Sequence, residues 1–213
     1  MIRRPPRSTQ SRSSAASDVY KRQDLTTAMS LTSSNMLPLG AKAPRFDLLD
    51  TLSKQTKSYE SLKGVKGMLV MFICNHCPYV LHMQDALVAV GNKYLELGIG
   101  VVAISSNDVV AYPDDDPVKM EQFALHLGFK FPYLYDETQE VAQSYEAACT
   151  PDFYLFDHHD DLVYRGRFDP SRPGNDIKVT GTDLISALEL LNSGQPQSLI
   201  QLPSMGCNIK WRS

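Results

Sequence analysis

GMLVMFICNHCPYV, running from Gly67 to Val80, joins an uncharged apolar run to two cysteines three positions apart and a proline. Seven apolar or small residues in a row, Gly67 to Ile73, predict a strand buried on both faces. Beyond Pro78, the apolar residues Val80, Leu81, Leu87, Val88, Tyr94 and Leu95 fall mostly at helical spacings, with Gly98 as a stop. Pro lacks an N–H and suits a first helical turn, so Pro78 starts this helix rather than breaking it. The reading puts Cys74 at the carboxyl end of a central strand and Cys77 in the first turn of the next helix.

The pattern continues outward from there. Phe46–Leu49 reads as a short strand and Gly100–Ser105 (GVVAIS) as a second doubly buried one. Asp114-Asp115-Asp116-Pro117 opens a helix ending near Gly128; the acids read as a cap rather than a cation site. Phe131–Tyr135 is extended and Thr138–Ala147 helical. Phe153–Phe156 and Leu162–Arg165 form a hairpin across DHHDD, where His158 and His159 read as solvated loop residues. Thr182–Leu191 is a last helix, followed by a Pro-containing tail to Cys207 and Trp211. Strand–helix–strand–helix followed by a hairpin implies an α/β fold: a mixed central β-sheet flanked by helices on both faces, with the hairpin strands at its edge.

The 213 residues suit one domain, and 43% hydrophobic with 21% charged residues is an ordinary globular balance. No apolar run reaches the roughly 18 residues that spanning a bilayer requires. Residues 1–23 hold six Lys/Arg and one acid, whereas the remaining 190 hold 15 basic and 23 acidic groups, a net of −8. SRSSAASDVYKRQ resembles a translated sequencing-adapter stretch, so residues 1–28 are expected to be a disordered, non-native leader. Met29 or Met36 then offers a natural start, and residues 36–213 form the single domain with its C-terminal tail. An acidic body excludes nucleic acid as the expected partner, and neither membrane nor cofactor is implied. Four cysteines are too few for a secreted disulfide scaffold, and no secretory h-region precedes them; a cytoplasmic location is expected.

A Cys-x-x-Cys pair is a redox couple, half a zinc site or two small hydrophobes. A helix N-terminus stabilises anions through its free amides, and a thiolate is such an anion. His76, when protonated, adds to that effect. A stabilised reduced form makes an oxidising couple, expected above the roughly −270 mV of thioredoxin. Thr150-Pro151 precedes an apolar strand. A cis bond there, facing the dithiol, would leave the Thr150 backbone free to pair with an extended substrate. Cys149 reads as a buried small hydrophobe, and Cys207 as either a packed tail residue or a resolving thiol.

Taken together, APRFDL (43–48), CNHCPYV (74–80), FPYLYDETQEVA (131–142), CTPDFYLFD (149–157), LVYRGRFD (162–169) and PSMGCNIKW (203–211) resemble a peroxiredoxin-like, AhpC/TSA-type branch of the thioredoxin superfamily. The resemblance implies a thioredoxin fold, Cys74 and Cys77 as the redox pair, and Thr150-Pro151 as a cis-proline loop. Two departures stand out. Cys74 occupies the place of the Thr or Ser that peroxiredoxins keep three residues before the peroxidatic cysteine. Thr150 stands about where they carry an Arg that polarises the peroxide, leaving Arg165 or Arg167 to substitute. The leading expectation is a thiol–disulfide oxidoreductase acting on protein disulfides and recycled by a dithiol reductant. By thioredoxin analogy Cys74, nearer the surface, attacks, whereas by peroxiredoxin analogy Cys77 does, and both orders stay open. The alternatives are a thiol peroxidase, with Cys77 peroxidatic and Cys74 resolving, and a non-enzymatic zinc or interaction module. Oligomeric state stays open.

Overall fold

The computed structural model describes residues 31–212, so the expected leader, residues 1–28, lies outside it. The seven-stranded sheet is built on β4 (Gly67–Phe72) and β5 (Ile99–Ser105), which pair in parallel from Gly67↔Ile99 to Phe72↔Ile104. Every residue of both strands is buried. Side chains alternate across a pleat, so Leu69, Met71 and Ile73 enter one core while Met68, Val70 and Phe72 enter the other. This two-sided burial is what an unbroken apolar run encodes, at about 2 kcal/mol for each large side chain removed from water.

One core packs beneath α2 (Pro78–Glu96), α3 (Pro117–Leu127) and α5 (Thr182–Asn192). The other packs beneath α1 (Tyr59–Leu62) and α4 (Glu140–Ser144), with Phe46, Tyr59 and Tyr145 as its aromatic centre. The remaining strands of this sheet are β2 (Asp47–Asp50), β3 (Thr56–Ser58), β6 (Tyr133–Tyr135), β8 (Asp152–Asp157) and β9 (Leu162–Gly166). Their order is β3-β2-β6-β5-β4-β8-β9, with β4, β5 and β6 mutually parallel and every other pairing antiparallel. The expected mixed sheet with helices on both faces is present. The hairpin departs from expectation in one respect: β8 is interior, paired to β4 along its whole length, and only β9 is an edge. The all-buried DFYLF explains it, because an edge strand rarely hides both faces.

Helix α3 begins at Pro117, later than the acidic run suggested. Asp116 is its N-cap and accepts from the amides of Val118 and Lys119. Gly128, at φ 72°, ends it in the left-handed conformation glycine tolerates. The segment 138–147 is helical only over Glu140–Ser144.

A second sheet was not anticipated. β1 (Leu31–Ser33), β10 (Met205–Asn208) and β7 (Cys149–Thr150) form a three-stranded antiparallel sheet in the order β1-β10-β7. The folded unit therefore reaches upstream of residue 36 to at least Leu31, and the expected tail is a central strand. The chain beyond it is tied down by Asn107 and Gln139, both buried. Lys210 N donates to Asn107 Oδ1 at 2.9 Å and Lys210 O accepts from Gln139 Nε2 at 2.8 Å. Among the described residues, no helix is long and apolar enough to cross a membrane.

Candidate active site

β4 stops at Phe72, two residues short of Cys74, although Ile73 N still reaches Ile104 O at 3.0 Å. Cys77 is not inside the first helical turn but is the N-cap of α2, with Pro78 at N1 and Leu81 N donating to Cys77 O. The loop Cys74–Cys77 is held from α3's side of the site by Asp115, which is fully buried. Its carboxylate accepts from Asn75 N at 2.8 Å and from Asn107 Nδ2 at 2.7 Å. His76 Nδ1 lies 2.7 Å from the same carboxylate, a charge contact rather than an aligned hydrogen bond. The imidazole stacks on Tyr112 at 5.7 Å, and Tyr133 Oη donates to Asn75 Oδ1 at 3.1 Å. Contact with Asp115 raises the His76 pKa above its ordinary value, against the opposing effect of burial.

The Thr150–Pro151 peptide is cis and faces the dithiol, as expected. Thr150 Oγ1 lies 3.4 Å from Cys74 Sγ, and Cys77 Sγ lies 3.2 Å from Thr150 O. The Thr150 backbone is not free, however. β10 pairs with β7 in the register Cys207↔Thr150, occupying the edge expected for a substrate. That pairing brings Cys207 Sγ within 2.9 Å of Cys77 Sγ.

Both sulfurs of the pair are enclosed, Cys74 at 1% and Cys77 at 0% exposure, so neither is the nearer to the surface. They are opposite in acidity. The Cys77 thiol is drawn well below its ordinary value, first by its side-chain contact with Cys207 and then by that with Cys74, with the Thr150 side chain and the Val80 amide adding to the effect. Burial opposes this shift. The Cys74 thiol is pushed well up, first by its side-chain contact with Cys77, then by burial and by the facing Asp115. Cys207 is raised for the same first reason, its side-chain contact with Cys77. Cys149 is buried, its thiol raised by desolvation, and its sulfur faces Pro151 O at 3.7 Å rather than another sulfur.

Neither arginine considered as a substitute reaches the sulfurs. Arg165 Nε donates to Leu37 O at 2.7 Å, and Arg167 Nε pairs with Asp183 at 2.6 Å. Cys74, His76 and Asp115 place ligand atoms within 4.8 Å of one another, but both Asp115 oxygens already accept from Asn75 and Asn107. His158 and His159 sit exposed in the β8–β9 turn.

Sequence reasoning singled out Cys74, His76, Cys77, Pro78, Thr150 and Pro151, and the fold brings these residues together. It missed Asp115, read only as part of a cap, and the contact made by Cys207. Three acids where one suffices for capping, and a cysteine after Gly206, were the available signals.

Residues 39–165 match the AhpC/TSA family. An uncharacterized conserved protein of Geobacillus kaustophilus is 50% identical over 87% of this chain and 98% of its own, with a TM-score of 0.85. The thiol-disulfide oxidoreductase ResA of Bacillus anthracis is 25% identical over 130 residues, 60% of this chain and 68% of that protein. The thioredoxin domain of a Bacteroides vulgatus thiol-disulfide oxidoreductase superposes at a TM-score of 0.50 with 18% identity, over 64% of this chain and 90% of that domain. With its sheet order, its helices on both faces and a family match over more than half its length, the chain belongs to the AhpC/TSA family and has a thioredoxin fold.

Proposed function

We propose that this protein is a thiol–disulfide oxidoreductase whose working dithiol is Cys74 and Cys77, with Cys77 the attacking sulfur. The observation that carries the reading is the Cys77 sulfur at the N-cap of the 19-residue α2, 2.9 Å from the Cys207 sulfur. A helix N-terminus favours the thiolate, which is the nucleophile in disulfide exchange. The Cys77 thiolate attacks one sulfur of a substrate disulfide; a mixed disulfide forms and the other substrate sulfur leaves as a thiolate that takes up a proton. Cys74 then gives up its proton and attacks Cys77 Sγ, releasing the second substrate thiol and leaving a Cys74–Cys77 disulfide. A dithiol reductant returns the enzyme to its starting state.

Family membership also admits a hydroperoxide as the oxidant, attacked by the same sulfur. Against that stands the lack, among the described residues, of an arginine contact to either sulfur to stabilise the departing oxygen. Insulin reduction and hydrogen peroxide consumption, both driven by dithiothreitol, separate the two. Turnover of insulin, abolished by Cys77→Ser, is the expected result. Rapid peroxide consumption without insulin turnover would replace it with the peroxidase reading. Stoichiometric zinc with no dithiol–disulfide interconversion would replace both.

A further inference from the structure

We infer that Cys207 is a third redox-active thiol, presented to Cys77 by a strand of the chain itself lying along the edge where an extended substrate would pair. The inference rests on the thiol–disulfide reading above and adds a partner to it.

Three features support it. The first is register: β10 runs antiparallel to β7 with Cys207 opposite Thr150 and Asn208 opposite Cys149, continued by Ile209 N to Ala148 O at 3.1 Å. The second is the close approach that Gly206 permits. A Cβ at that position would lie 2.0 Å from Thr150 O and 3.2 Å from Pro151 N, so the strand rests directly on the Thr150–Pro151 peptide. The third is the 2.9 Å separation of the Cys77 and Cys207 sulfurs.

Burial alone does not produce this. Cys149 is at least as buried as Cys207, one element away, and its sulfur faces a carbonyl. Packing accounts for Cys149; for Cys207 it leaves the sulfur-to-sulfur contact unexplained. The strand is also held from both sides, by β1 along its other edge and by Asn107 and Gln139 beyond its end.

Two exchanges follow, and both balance. When Cys77 carries a mixed disulfide with a substrate thiol, Cys207 loses its proton and attacks Cys77 Sγ. A Cys77–Cys207 bond forms, and the substrate departs as a thiol carrying that proton. When the chain already holds Cys74–Cys77, the same attack transfers the bond: Cys77–Cys207 forms, and Cys74 leaves as a thiolate and is protonated. The substrate disulfide is the oxidant in the first case, and the second is an isomerisation with no net electron transfer.

The test uses the full chain as wild type, Cys74→Ser, Cys74→Ala, Cys207→Ser and the Cys74→Ser/Cys207→Ser double variant, each with its fold checked by circular dichroism. Reduced protein is equilibrated with glutathione disulfide, acid-quenched, alkylated with N-ethylmaleimide and mapped by mass spectrometry. Both Cys74 variants should yield a peptide crosslinking Cys77 to Cys207, with Cys149 alkylated. In the double variant Cys77 should keep its glutathione, with release slowed at least about tenfold. If the folded Cys74 variants retain glutathione on Cys77 and Cys207 is alkylated, the inference is overturned. Should wild type meanwhile form Cys74–Cys77 and reduce insulin, only the role of Cys207 falls. If Cys77 accepts no glutathione and no crosslink forms in any variant, both readings fall.

Discussion

Asp115 is the residue on which the dithiol loop hangs. A single buried carboxylate fixes the amide of Asn75, the side chain of Asn107 and the charge on His76. Asp115→Asn keeps the shape and removes the charge. Hydrogen bonds to an ionised, buried acceptor are worth about 1.5–3 kcal/mol each, so a loss of about 2 kcal/mol or more is expected in urea unfolding. Because Asp115 helps raise the Cys74 thiol, the same variant should also ionise Cys74 at lower pH, read as thiolate absorbance in a Cys77→Ser background. His76 provides a pH signature whose sign is fixed. Its folded pKa lies above the ordinary 6.5, so its contribution is complete below about pH 6.5 and fades as pH rises through the raised folded value. Urea midpoints for wild type should fall over that window relative to His76→Asn. A difference that instead grew with pH would contradict the ion pair. In the sequence the cysteines were legible because residue type and spacing declare them. Asp115 was not, since its partner Asn75 is 40 positions away and only folding joins them.

Among the elements, β4, β5 and α2 were legible because hydrophobic period and buried face coincide. Leu155, fully buried on β8 opposite Leu69, belongs to the same pattern, and Leu155→Ala should cost about 2–5 kcal/mol. β10 was illegible: four residues with only two buried carry no clear period, and its partner strands lie 55 or more positions upstream. Its one local clue is Gly206. Gly206→Ala forces a methyl to within 2.0 Å of the Thr150 carbonyl, so β10 must shift off β7. Alkylation of Cys207 by N-ethylmaleimide should then accelerate by about tenfold or more, as a strand with weakened pairing opens more often. An unchanged rate would mean that the strand accommodates the methyl without lifting.

At the scale of the whole molecule, alternation of strands and helices was enough to specify a mixed sheet with helices on both faces, and the seven-stranded sheet with a core on each side is that arrangement. What alternation could not specify is the second sheet, which pairs both ends of the described chain with each other and with Cys149–Thr150. Its anchors are polar and long-range. Gln139 holds the Ser106 and Lys210 carbonyls and accepts from Arg212 N at 2.8 Å. Gln139→Ala should therefore lower the melting temperature and raise hydrogen exchange in 205–210 more than in β4.

The enclosure of both sulfurs has a kinetic consequence. A bulky disulfide can meet Cys77 only after the covering strand has moved aside, whatever the substrate's sequence. Such a movement would be common to every large substrate. Unrelated protein disulfides should converge on one maximal rate at saturation. The same ceiling should limit labelling of Cys77 by a bulky maleimide. A small disulfide that slips past the strand should exceed both.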